Sequence, residues 1–336
     1  MSESTAGSGR TWDWGAAGPL LAFLALVTFN LVTQPAVFTD PVIWRNLIAQ
    51  NVDIGLLALG MTVVIMAGGI DLSVGAMMAL CGVVAAQAIT RLTGSPPEVA
   101  FLAAFGAAMA VGVISGLANG LLVTWGRLAP FVATLVGLLV FRSLSLVSAD
   151  GGTLLVKSDW LAALTQSGVP LPFRMARTGE TLILPWSALL FFGVALAIWL
   201  LMERTPFGKH VVAVGSNEQA ARYAAVNVNR VRLLTYVLLG ACTALGGLLY
   251  TARLESVSSS SAGVLMELDA IAAVVLGGTA LTGGKGRLWG TVVGVLLLGL
   301  ITNTLVVYSN EVSPNWQNAV KGAVILGAVL LQRKRM

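Results

Sequence analysis

Five polar side chains interrupt the long apolar runs of this 336-residue chain: Gln87, Asn119, Arg142, Asn303 and Lys321. Three of them are neutral amides. At membrane depth an amide offers both a donor and an acceptor without the desolvation cost of a charge. Such groups suit hydrogen bonds to a neutral polyol better than ion binding. Phe131, which opens the apolar run after Pro130, adds an aromatic face on which a ring could lie. Asn119 sits in a glycine-rich run, where a thin backbone leaves room for a ligand. Asn119, Phe131 and Asn303 are therefore the residues the sequence offers for a substrate path. The competing use of the two amides is hydrogen bonding between helices, with Phe131 facing lipid. Lys321 lies near the end of its run, where a long side chain reaches the interface.

Other chemistries lack their residues. The fifteen acids fall in predicted loops or at the ends of apolar runs, whereas ion-coupled carriers usually keep ionisable groups at depth. The single histidine, His210, stands beside Lys209 with no evident catalytic partner. Cys81 and Cys242 each lie inside an apolar run and read as packing residues, not as a disulfide or metal pair. No enzyme, metal site or cofactor is expected. Residues 279–286 faintly resemble a phosphate-cradling loop. They have Thr279 where its first glycine belongs and Gly286 where a metal-holding Ser or Thr belongs, and they follow an apolar run, not a strand. Any use of ATP must come from a partner.

These residues need elements to position them. The composition is 57% hydrophobic and only 10% charged, against about 25% charged in soluble domains. Several apolar runs reach the roughly 20 residues that span hydrocarbon. The expected fold is an all-α polytopic membrane protein of about ten transmembrane helices, over 16–32, 52–70, 73–90, 99–123, 131–147, 182–202, 233–252, 268–282, 288–308 and 316–331. The first run lacks a cleavage signature and reads as a retained helix. Residues 38–50 read as a short interfacial piece. The net charge of +5 points to orientation, not to nucleic acid. Arg127, Arg204, Lys209, Arg222, Arg230, Arg232, Lys285 and Arg287 fall on one side together with the basic tail. The positive-inside rule places that side, and both termini, in the cytoplasm. Residues 1–15 then form a mobile cytoplasmic N-terminus, 16–331 a single transmembrane domain and 332–336 a basic tail. The polar stretch 148–180 is an outer loop, and 203–232 faces inward.

Two spans flank a glycine-bracketed acidic corner, Gly68-Gly69-Ile70-Asp71-Leu72-Ser73-Val74-Gly75. Glycine permits a tight turn, and Asp71 and Ser73 can bond nearby N–H groups and cap the next helix. A near-echo follows another apolar run: Gly277-Gly278-Thr279-Ala280-Leu281-Thr282-Gly283-Gly284. Both read Gly-Gly-x-x-Leu-[Ser/Thr]-x-Gly. The echo predicts a two-fold internal repeat, a common construction in membrane transporters. A helix-helix turn of an ordinary bundle would use the same residue types.

Within 203–232, residues 215–226 read as a short helix off the membrane, capped by Ser216 or Asn217 and with Glu218 at its positive end. Ala220, Tyr223 and Ala224 would share one face. That is suitable geometry for docking a partner, and an interfacial loop helix is the plainer alternative.

Leu59-Gly60-Met61-Thr62, the corner at 68–75, Thr205-Pro206-Phe207-Gly208, Ala213-Val214-Gly215-Ser216-Asn217, the run from Glu267 to Gly278 and Gly283-Gly284-Lys285-Gly286 together resemble the permease subunits of bacterial ABC sugar importers. The resemblance is to those of the ribose, xylose, rhamnose, galactofuranose and autoinducer-2 type. It covers roughly residues 46–331 and does not single out a sugar; the loop 148–180 matches no substrate pattern. It implies an inner-membrane importer with two permease subunits, as a homo- or heterodimer. Two ATP-binding domains and a periplasmic sugar-binding protein would complete it. It also implies that a short cytoplasmic helix seats in a groove of the ATPase. Residues 215–226 are the matching stretch, so Gly215, Ser216, Asn217, Glu218, Ala221, Arg222, Ala224 and Ala225 are the expected coupling residues. A facilitative or ion-coupled carrier acting alone is the alternative.

Overall fold

The computed structural model describes residues 14–174, 179, 181–308, 316, 319–323 and 326–327. Helices α1 (Trp14–Thr33), α2 (Pro35–Phe38), α3 (Pro41–Gln50), α4 (Val52–Met66), α5 (Val74–Arg91), α6 (Pro97–Thr124) and α7 (Pro130–Ser148) come first. Then follow β1 (Thr153–Leu155), α8 (Asp159–Gln166), β2 (Gly168–Arg174), β3 (Thr181–Pro185), α9 (Trp186–Arg204), α10 (Pro206–Ser216), α11 (Glu218–Tyr223) and α12 (Val228–Leu254). Strand β4 (Ser256–Ser258), α13 (Met266–Leu276) and α14 (Leu288–Val307) complete the series.

Six of the described helices, α5, α6, α7, α9, α12 and α14, are long and apolar enough to cross a membrane. The pair α3 and α4, bent by 52°, makes a seventh if it counts as one broken span. The run 268–282, expected to span, instead holds α13, whose 11 residues rise only about 16 Å, half of what hydrocarbon requires. Its apolar continuation is spent on the second glycine corner. The expected N-terminal segment 1–15, the last span at 316–331 and the tail 332–336 lie wholly or largely outside the described residues.

The chain is mostly helical but not purely so. The described part of the polar stretch 148–180 contributes strands: β1 pairs antiparallel with β4, and β2 pairs with β3. Alternation over three to seven residues was too short to stand out beside helical runs of twenty.

Helix α4 is the centre of the bundle. It is apolar on every side, and all its residues except Ile54 are buried, as expected of a helix with no polar stripe. It packs against α12, α13, α14 and α9. Helix α12 also crosses α6 at close range. A Cβ at Gly112 would collide with the Gly240 carbonyl, and one at Gly116 with the Tyr236 carbonyl. Small residues at a helix crossing let the backbones touch. Two charges near the core are paired. Arg253 bridges the buried Asp53 at 2.6 Å, and Lys321 bonds Asp269 at 3.1 Å, so Lys321 has a partner within the protein and does not simply reach for the interface.

Candidate functional site

The two glycine corners end their helices in the same way. At the first, Gly68 N–H donates to the Ile65 carbonyl at 2.9 Å and Gly69 N–H to the Val64 carbonyl at 3.0 Å. At the second, Gly278 N–H donates to Val275 at 2.9 Å and Thr279 N–H to Val274 at 3.2 Å. These paired bonds form a Schellman cap, which needs a left-handed residue at its turn. Gly68 (φ 82°) and Gly278 (φ 87°) supply it. The structural match therefore pairs Gly68 with Gly278, one residue out of step with the sequence echo, because a Gly-Gly pair can place the left-handed residue at either position.

Beyond the caps the chain paths diverge. After the first corner the chain enters α5, where Gly75 lies so close to Gly263 that a Cβ would strike its carbonyl and the Glu267 carboxylate. After the second, Ala280 N–H donates to the Lys285 carbonyl at 3.0 Å and closes a turn ahead of α14.

The corners converge on the C-terminal end of α10. Gly284 N–H donates to the Met66 carbonyl at 2.9 Å. A Cβ at Gly283 would lie 2.9 Å from the Gly215 carbonyl oxygen and 3.1 Å from the Gly68 Cα. A Cβ at Gly215 would overlap the Met66 carbonyl, and one at Gly284 would overlap Ser216. Three backbone segments thus meet with no room for a side chain, and Gly283 (φ 84°) and Gly284 (φ 73°) are both left-handed as well.

The expected helix 215–226 is divided in two. Helix α10 stops at Ser216, and Asn217 caps α11 by accepting from Ala220 N–H at 3.0 Å. Helix α11 then ends at Tyr223, capped by Ala224 and followed by Ala225 at φ 59°. Glu218 bridges Arg222 at 2.8 Å and Arg232 at 2.7 Å. The hydrogen bond from Arg222, aided by the charge of Arg232, holds its carboxyl below the usual range. Tyr223 projects outward with 91% of its surface exposed, flanked by exposed Ala220 and Ala224. Ala221, expected among the coupling residues, is buried against the core with Val211, Val214, Val228 and Val231.

The path residues occupy three different settings. Asn119 is buried, and its amide donates to Asp71 Oδ2 at 3.0 Å and to Ser73 Oγ at 2.8 Å. Asp71 Oδ1 accepts from Ser73 N–H at 2.7 Å and from Ser73 Oγ at 2.6 Å. Asn119 Oδ1 and the buried Tyr236 hydroxyl have no partner among the described residues. Phe131 is 57% exposed on α7, and Asn303 is half-buried on α14, so the structure does not gather the three into one lining. Sequence reasoning missed Tyr236, whose hydroxyl lies against Gly69. It also gave no role to Arg142, which donates to the Ser259 and Ala262 carbonyls at 3.0 and 2.8 Å and secures the Ser-rich loop ahead of α13. A tyrosine and an arginine in otherwise apolar runs were the available signals.

The family model for the branched-chain amino acid transport system permease component matches residues 43–329. The ribose import permease protein RbsC of Bacillus subtilis is 42% identical over 318 residues, covering 95% of this chain and 92% of its own. That of Escherichia coli K12 is 38% identical over 316 residues, 94% and 93% of the two chains. The galactofuranose transporter permease YtfT of Escherichia coli K12 is 33% identical over 338 residues, 97% and 92%. No solved structure matches. With a family match spanning most of its length and relatives named as sugar permeases aligned nearly end to end, the chain belongs to the permease family of the ABC sugar importers.

Proposed function

We propose that this protein is the transmembrane subunit of an ABC importer that carries a monosaccharide across the inner membrane, powered by a separate ATPase and fed by a periplasmic binding protein. It is a multi-pass protein of the inner membrane. In the proposed arrangement two permease subunits pair, residues 16–331 act as one transmembrane domain, and both termini face the cytoplasm. The two corners are the matching points of an internal repeat.

The observation that carries the reading is the convergence of Met66, Gly215 and Gly284. A capped, exposed helix, α11, follows directly on the segment that is wedged between the two corners. An ATPase seated on α11 would therefore move the ends of α4 and α13 together, and the rocking of these elements would alternate access to the path. Asn119, Phe131 and Asn303 are proposed for that path, with Asn119 released from Asp71 in another state of the cycle. The two relatives named for ribose make ribose the first sugar to test. Membrane vesicles holding this chain, a co-expressed ATPase and a sugar-binding protein should accumulate labelled ribose or a related monosaccharide only when ATP is present. ATP-independent accumulation by the chain alone would favour a carrier.

A further inference from the structure

We infer that this protein holds a phospholipid with an anionic headgroup at the inner end of the cleft between α9, α10 and α14. Two neighbouring cavities carry the inference. One, of about 660 Å³, carries the charged groups of Lys209, Lys285, Arg287 and one carboxylate, Glu203, beside apolar residues such as Met202 and Val212. Lys209 and Lys285 are exposed and make no ion pair among the described residues. The other, of about 430 Å³, is lined by Leu20, Trp199, Trp289 and Val293. Glu203 and Arg287 line both, so the cavities adjoin.

A charged chamber opening into an apolar groove matches the two ends of a lipid. Phosphate oxygens would meet the lysines, and an acyl chain would lie along Leu20 and Val293. Trp289 is 47% exposed beside the groove, and indole rings favour the level of the headgroups. Arg204 sits 5.9 Å from the Trp199 ring and adds a further cation at that rim. The basic residues beside α11 differ, because Arg222 and Arg232 are already joined to Glu218. The site rests on the proposed orientation only for the leaflet it faces; the lipid chemistry follows from the cavities themselves.

The test is lipid retention by the full-length protein, measured by mass spectrometry after detergent exchange with added phosphatidylglycerol or phosphatidylcholine. Phosphatidylglycerol should be retained preferentially, and Lys209→Gln with Lys285→Gln should lower that preference about fivefold per lysine. Val293→Trp, which fills the groove and leaves every charge in place, should lower retention as well. Arg91→Gln, on the far end of α5, should leave it unchanged. Equal retention of the two lipids, or an unchanged preference in both site variants, overturns the inference. So does displacement of phosphatidylglycerol by millimolar inorganic phosphate with the groove variant behaving as wild type, which would mark a free phosphate site. Loss of the lipid whenever the ATPase co-purifies would assign the lysine-lined cavity to that partner and overturn it too.

Discussion

Asn119 on α6 reaches across 48 positions of sequence to donate its amide to Asp71 at 3.0 Å. The bond ties a long crossing helix to the first glycine corner. It also gives the two amides proposed for the path different structural duties. Asn119→Leu removes two hydrogen bonds and leaves the Asp71 carboxylate with Ser73 alone. The cost should be about 1–3 kcal/mol, read as a lower yield of folded protein and a lower Tm. Asn303→Leu should leave yield unchanged while sugar uptake falls. Wild-type uptake by both variants at matched expression would remove the two residues from the path.

Gly215→Ala places a methyl group on the Met66 carbonyl. The corners can accept it only by moving apart. The variant should insert and bind the ATPase, yet sugar-stimulated ATP hydrolysis should fall at least several-fold in reconstituted vesicles. Gly283→Ala should cost about 1–2 kcal/mol from its left-handed backbone alone, and a thermal melt would show it. Normal coupling in Gly215→Ala would dissociate the junction from transmission.

Ala221 within α11 and Ala224 just after it should behave differently. Ala224→Asp and Tyr223→Asp change exposed positions and should reduce co-purification of the ATPase without affecting membrane insertion. Ala221→Asp buries a charge among valines and should lower folded yield directly. Undiminished ATPase recovery with both exposed variants would move the docking surface elsewhere.

Glu218 gives the segment a pH response of known sign. Its folded carboxyl is held low by Arg222 and Arg232, so the stabilisation is complete above the unfolded value of about 4.3 and is lost as pH falls through the folded value. Between pH 6 and 8 the ATPase complex should be insensitive to this group, and it should weaken only under more acidic conditions. Glu218→Gln should flatten that acid limb. The pair is partly exposed, so its total contribution should stay below about 1 kcal/mol. A pH series of complex recovery would check it.

Orientation can be read with single cysteines at two exposed serines. Ser167→Cys should react with an impermeant thiol reagent added to intact cells, and Ser216→Cys should react only after lysis. The opposite pattern would invert the proposed orientation.

Helices such as α6 and α14 were legible because twenty or more apolar residues permit little else. A cap at Ser216 or Asn217 was legible because both types suit it and Glu218 follows; the structure uses Asn217. The length of α13 was not, since apolarity alone does not separate a helix that crosses from one that stops halfway at a pair of glycines. The meeting of Gly215 with residues far away in the chain was likewise hidden, because glycine carries no side-chain pattern that announces a contact. Ala221 was named for coupling by the resemblance alone, and its burial was hidden because the side of so short a helix that turns inward is set by residues outside it, such as Val211 and Val231.

The bond between Gly284 N–H and the Met66 carbonyl belongs wholly to the main chain. Side-chain scanning therefore cannot delete it, and an alanine series would register only the bulk it adds nearby. An ester in place of the 283–284 amide would remove the donor while keeping every side chain, and so isolate what this one contact contributes. The same fact leaves inheritance an uneven freedom: the residues around the contact can drift in polarity and charge, while the glycines themselves are confined to the one residue with nothing to lose.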